Sequence, residues 1–200
     1  MSTPTDIPLF LLNTVLNSGG SISLRVFEPR YMDMVKDCLR AQTPFGVCLI
    51  EQGDEVITSP APAVAATVPH LVGTLATIAD WDMPQMGILN IVVHGGARFR
   101  ILDHRMAMNG LIRAAIELLP APLVTPIPGD YARLVPMLRA LIEGLEEGKP
   151  PEPHHFYDAA WVADRWAELL PLPLNTRQQL LELDDGVARL EAIYRFLERS

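Results

Sequence analysis

Cysteine and lysine are scarce in this 200-residue chain: two of each, Cys38, Cys48, Lys36 and Lys149. Two cysteines build neither a disulfide framework nor, by themselves, a four-ligand zinc site. Both fall in apolar patterns, which marks them as buried free thiols in a reducing compartment. A Ser–Lys dyad would have to use Lys36 or Lys149. The first sits on the polar side of an expected helix and the second in a Gly-Pro stop, so both read as solvated. Positive charge is short overall: 16 Lys and Arg against 24 Asp and Glu leave −8. Residues 1–119 carry 8 basic and 11 acidic groups (−3), and residues 120–200 carry 8 and 13 (−5). Neither half is basic, which disfavours nucleic acid, because phosphate contacts need clustered Lys and Arg. The start, MSTPTDIPLF, lacks the basic region and apolar stretch of a signal peptide. No apolar run reaches ~18 residues, so no membrane span is expected and the chain reads as soluble and cytoplasmic. Apolar residues, in contrast, make up 49%. That excludes a disordered chain and allows one large domain or two small ones.

The apolar residues follow two periods. Before Pro120 they mark short strands: FGVCLIE from Phe45, VGTLATIAD from Val72 and, after a turn-like DMPQ, GILNIVVH from Gly87. Gly95-Gly96 then reads as a turn. After it Ala97, Phe99 and Ile101 alternate with Arg98 and Arg100, a half-buried strand with a solvated arginine face. Asn109-Gly110 is a hairpin signal before Ile112, Ala114, Ile116 and Leu118 take one face of the next strand. One helix interrupts. It opens at Glu28-Pro29, where proline suits the first helical position. Tyr31, Met34, Val35, Cys38 and Leu39 form its apolar face.

Residues 120–128, PAPLVTPIP, hold four prolines and no charge and read as a stiff connection. Beyond them the period becomes 3.6. A helix is expected from Asp130 as N-cap through Leu145, with Pro136 kinking it or delaying its start and Gly148 closing it. Asp158 caps a second, with Val162, Trp166, Leu169 and Leu170 inward. Thr176-x-x-Gln179 is a capping box for a third. Val187, Leu190, Ile193, Tyr194 and Leu197 mark the last. The fold class is therefore α+β: a β-rich lobe (1–119) with one helix, a Pro-rich connection (120–128) and a helical bundle (129–200). Several short antiparallel strands suggest a small barrel or rolled sheet.

Reactive constellations are few. There is no P-loop, no G-x-S-x-G elbow and no H-E-x-x-H. Adjacent His154-His155 do not converge on one ion and read as exposed loop residues. Trp166 is a core residue, and Trp161 is expected to pack against the β half. No catalytic, cofactor or metal site is expected, and no cofactor. One feature stands out. Trp81, Met83 and Met86 lie in DWDMPQM, and Met106 and Met108 precede the Asn109-Gly110 turn. Flexible, polarisable methionines suit surfaces that accept many partners. These five residues are a candidate protein-binding surface; the competing reading is that they seal an end of the β core or face the helical half.

The segments IPLFLLNTVLNSGG, LRVFEPRYMDMVKDCL, LNIVVHGGARFRIL and WVADRWAELLPLPLNTRQQLLELDDGVARLEAI together resemble the N-terminal domain of the Lon protease family over residues 7–197. Phe27, Glu28, Pro29, Arg30 and Tyr31 carry the most specific part. The chain departs from the family at LNSGG, where many relatives have a proline before the glycine. The resemblance implies a PUA-like β lobe joined to a helical bundle. It also implies a non-enzymatic module that recognises protein substrates, unfolded polypeptide segments or a partner protein, with a separate protease as a further candidate partner. The P-loop and Ser–Lys dyad of full-length Lon are missing here, so those activities do not carry over. Within the signature, Glu28 and Arg30 are expected to form a local ion pair at the helix start. The alternatives are a small-molecule or nucleic-acid binder through the PUA-like lobe, and a hydrolase built on a buried carboxylate or histidine.

Overall fold

Alternating apolar residues before Pro120 build a sheet, and the 3.6-residue period after it builds helices. The computed structural model describes residues 5–53, 67–146 and 149–199. Its strands are β1 (Thr5–Leu12), β2 (Ser21–Val26), β3 (Phe45–Gln52), β4 (Val68–Pro69), β5 (Val72–Gln85), β6 (Ile88–Met106) and β7 (Ile112–Leu118). Helix α1 (Pro29–Ala41) lies between β2 and β3. The others follow the strands: α2 (Leu134–Gly144), α3 (Ala159–Leu169), α4 (Leu174–Glu182) and α5 (Gly186–Leu197).

The seven strands form one sheet in the order β1-β7-β6-β5-β3-β4, with β2 beside β6. The pairings also return on themselves. The first half of β1 runs antiparallel to β7, and its second half runs parallel to β3. Alternation along β1 then serves two apolar layers. Ile7, Leu9 and Leu11 pack with Phe99, Ile101, Ala114 and Ile116, while Phe10 and Leu12 face α1 through Tyr31, Met34 and Val35. The helices enclose a third layer around Trp166, Leu138 and Leu190.

Several expectations need correction. Gly95-Gly96 is not a turn: β6 runs through it, with a register shift opposite β5. A side chain at Gly95 would stand 2.1 Å from the Asn17 carbonyl oxygen. Glycine is required there so that the Gly19-Gly20 turn can bond to Gly95 through its own backbone, at 2.8 and 2.9 Å. DMPQ is strand, not turn; β5 continues to Gln85, and the chain reverses at Met86-Gly87, where Gly87 has φ +84°. Asp130 is no cap. It lies in a short 3-10 turn (Gly129–Tyr131), and α2 begins only at Leu134, so that Pro136 falls in its first turn. Gly148 lies outside the described residues. Thr176 sits inside α4, which starts at Leu174 without a side-chain cap. Leu118 is exposed at the end of β7. Asp158 and Asp185 do cap α3 and α5. Cys38 and Cys48 are buried and free.

The largest correction concerns Arg98. It is 3% exposed, not solvated. Its guanidinium donates to the carbonyls of Leu181 and Leu183 and, at 2.9 Å, to the Asp184 carboxylate. It thereby ties β6 to the end of α4. Arg165 in α3 makes the matching tie to the Gly19-Gly20 turn, donating to the Gly19 and Ser18 carbonyls at 2.7 and 2.9 Å. Arg189 in α5 donates to Asp164 at 2.7 Å and to the Leu183 carbonyl.

Candidate functional site

Past Ala76, β5 leaves β3 and pairs only with β6, while β2 pairs with the other side of β6. A three-stranded ribbon therefore projects from the sheet. Among the described residues nothing covers its outer strand, and Trp81, Met83 and Met86 are exposed, Met86 almost completely. Direct partners share a face of a sheet, so Leu24, Ile91 and Trp81 form one row across the ribbon. Ile91 is buried, and Trp81 carries the row out to solvent at 55% exposure. A cavity of about 340 Å³ lies against this row, bordered by Arg25, Asp80 and Asp82.

Met106 and Met108 are also exposed, on the β6–β7 hairpin. None of the five sequence-selected residues seals the core. They occupy two hairpins, and the start of α1 is tied to both. On one side Val26 pairs with Leu89. On the other, Arg30 donates to the Gly110 carbonyl at 3.1 Å.

The signature segment forms that start. Pro29 occupies the first helical position of α1. Glu28 and Arg30 pair at 3.0 Å with little exposure of either side chain. The Arg30 guanidinium lies 4.5 Å from the centre of the Tyr31 ring, which stacks on Phe10 at 4.0 Å. These contacts explain why the residues of the segment belong together. They orient the turn and leave Phe27 standing out at 52% exposure. Beside it a groove of about 300 Å³ runs along β2, lined by Phe10, Leu12, Leu24, Val26, Phe27 and Tyr31. Sequence reasoning missed this groove. It placed Phe27 in a structural signature, and no local pattern distinguishes an exposed phenylalanine from a buried one.

Reactive chemistry does not gather here. Burial pushes the Cys48 thiol far up, which keeps it protonated and inert. No group of three or more His, Cys, Asp or Glu among the described residues could hold a metal ion. His154 and His155 are half-buried rather than exposed loop residues; with Phe156 they pack around the Trp161 ring. Trp161 also approaches the Gly19 turn, so it does meet the β half. No described helix is long and apolar enough to cross a membrane.

Comparison with known proteins bears on the whole of this arrangement. A Lon N-terminal domain protein from Xanthomonas campestris, of known structure, is 34% identical, with a TM-score of 0.75 over 96% of this chain and 98% of its own. The N-terminal domain of a Mycobacterium avium complex Lon protease shares the fold at 16% identity, with a TM-score of 0.64 over 94% and 96% of the two chains. A Lon protease from Anaeromyxobacter dehalogenans is 26% identical over 98% of this chain, which spans only 23% of that relative's length. The family model for the ATP-dependent protease La (LON) substrate-binding domain matches residues 6–199. Only that domain of the family is found in this sequence, and the chain belongs to the Lon substrate-binding domain family.

Proposed function

We propose that this chain is a non-enzymatic module that captures apolar, unfolded segments of other proteins. The observation that carries the reading is the exposure of Trp81, Met83 and Met86 on a ribbon that no other described element covers. Aromatic and methionine anchors are what peptide-binding surfaces use, and Asp80, Asp82 and Arg25 line the same cavity as Trp81. Membership of a substrate-binding domain family supports the same reading. On this proposal the β part (1–119) carries the binding surface. The helical part (129–200), reached through the 120–128 connection, holds the Gly19-Gly20 turn in place through Arg165.

The test is fluorescence anisotropy of labelled unstructured peptides titrated with the protein. Micromolar binding of apolar peptides is expected. Replacing Trp81 and Met83 together by alanine weakens it about tenfold or more, the usual scale for losing interface anchors. Absence of binding at ~100 µM, about −5.5 kcal/mol, overturns the reading.

A further inference from the structure

Among the described residues strand β2 has one partner, β6. In an antiparallel ladder, residues bonded to the opposite strand alternate with residues whose main-chain groups point away. The Gly95 amide donates to the Gly20 carbonyl at 2.9 Å, and the register continues from Ser21 opposite His94 to Val26 opposite Leu89. That phase commits the main-chain groups of Ile22, Leu24 and Val26 to β6. It turns those of Ser21, Ser23 and Arg25 to the free edge. Among the described residues no strand pairs there.

The molecule treats its two ribbon edges differently. Along β5 the free edge carries Asp80, Asp82 and Pro84, the charges and proline that blunt an exposed edge against pairing. Along β2 the sequence is SISLRV, without proline or acidic residues. The groove of about 300 Å³ lies directly beside this unblunted edge, with Phe10, Leu12, Phe27 and Tyr31 in its walls. Its one carboxylate, on Glu28, is neutralised by Arg30. Arg25, exposed at the rim, makes no ion pair among the described residues.

We propose that the β2 edge takes an extended polypeptide segment as an added strand. Its main chain bonds to Ser21, Ser23 and Arg25, alternate apolar side chains enter the groove, and an acidic side chain stands opposite Arg25. A polypeptide backbone is the ligand whose repeating donors and acceptors match a free strand edge, and strand addition of this kind is a recurring mode of peptide capture. The unpaired guanidinium selects an opposite charge across the new pair. This inference rests on the protein-binding reading above and names how the segment is held.

The probe is a short fluorescein-labelled peptide alternating valine and threonine, with one central glutamate, titrated into the intact protein. The Ser23 amide faces away from β6, so Ser23→Pro keeps the β2–β6 ladder while removing a donor from the edge. This variant weakens the peptide about tenfold, the scale of one or two main-chain hydrogen bonds. Methylating alternate amides of the peptide does the same. Arg25→Glu weakens the glutamate peptide and favours one with a central lysine, which keeps the test sound if the proline variant folds poorly. Binding unchanged by Ser23→Pro and by amide methylation overturns the edge, and leaves the broader reading standing if the apolar peptides still depend on Trp81 and Met83. Failure of every peptide to bind overturns both. A wild-type dimer that Ser23→Pro converts to monomer in sedimentation makes a second copy the occupant and overturns the peptide.

Discussion

The interior of each half and the seam between them are built from different chemistry. Inside the sheet and inside the bundle the packing is mostly apolar, with Phe99, Leu9, Trp166 and Leu138 almost fully enclosed. Among the described residues the seam has a small apolar cluster, Val15, Leu49, Val72 and Leu181, and Trp161 beside the Gly19 turn. Most of its directed contacts come from buried polar side chains. Arg98 and Arg165 reach main-chain carbonyls across the boundary, Asn17 donates to the Asp164 carbonyl at 3.4 Å, and Gln178 donates to the Val72 carbonyl at 3.0 Å. Apolar contact is nondirectional and tolerates sliding. A guanidinium fork has fixed donor directions and accepts one placement. The seam thus sets how the helices sit on the ribbon's base, including the Gly19-Gly20 turn to which β6 is bonded.

The largest expected effect tests whether the helices behind that seam depend on a buried charge pair, Asp164 of α3 with Arg189 of α5. Asp164→Ala leaves Arg189 buried without its carboxylate and costs about 3–5 kcal/mol in urea unfolding. Replacing Asp164 and Arg189 together by leucine and methionine recovers most of that loss, because a packed apolar pair avoids the desolvation cost. A double replacement as damaging as the single one would mean the Arg189 bonds to the Leu183 carbonyl matter more than the pair.

A second, smaller effect separates this buried pair from the surface by pH. Burial pushes the Asp164 carboxyl above the usual range, against the opposing pull of Arg189 and Arg165. The folded chain therefore keeps this proton where the unfolded chain has released it. Its contribution is full below the ordinary carboxylate range and is lost as pH rises through the raised folded value. At the surface the sign reverses. Slight burial opposes the Asp6 charge, but hydrogen bonds from Arg105 and Arg113 outweigh it and hold the carboxyl below the usual range. Stability from Asp6 is present above that range and lost as pH falls through its lowered value. Unfolding of Asp164→Asn and Asp6→Asn, followed between about pH 3 and 7, should show pH slopes altered in opposite directions relative to the parent.

The smallest effect is at that surface cluster itself. Asp6→Asn at neutral pH costs no more than about 1 kcal/mol, and added salt diminishes the difference. A loss comparable to that of Asp164→Ala would erase the distinction between buried pair and surface.

Much of the fold was readable because it depended on local period. The apolar face of α1, the Asn109-Gly110 hairpin and the Asp158 cap are each decided within a few residues. Arg98 was misread by the same logic. Alternation with Phe99 and Ile101 correctly put it on the other face of the strand, but whether that face meets water or a helix terminus depends on residues more than eighty positions away. Gly95-Gly96 was misread for a related reason, since the backbone that excludes a side chain there belongs to Asn17. Among the candidate surface residues, the methionines and Trp81 could be picked out by type. The exposure of Trp81, Met83 and Met86 follows from β5 outrunning β3, and strand pairing is a long-range fact.

The sequence by itself determined the placing of a β-rich part with one helix ahead of the helices, the absence of the familiar catalytic motifs and the signature at the start of α1. Residue type and spacing are enough for each of these. The tertiary structure decided which faces are buried, which strand edge stays open and where the guanidiniums find their acceptors. Those outcomes depend on partners brought together only when the chain has closed on itself, and no local pattern encodes them.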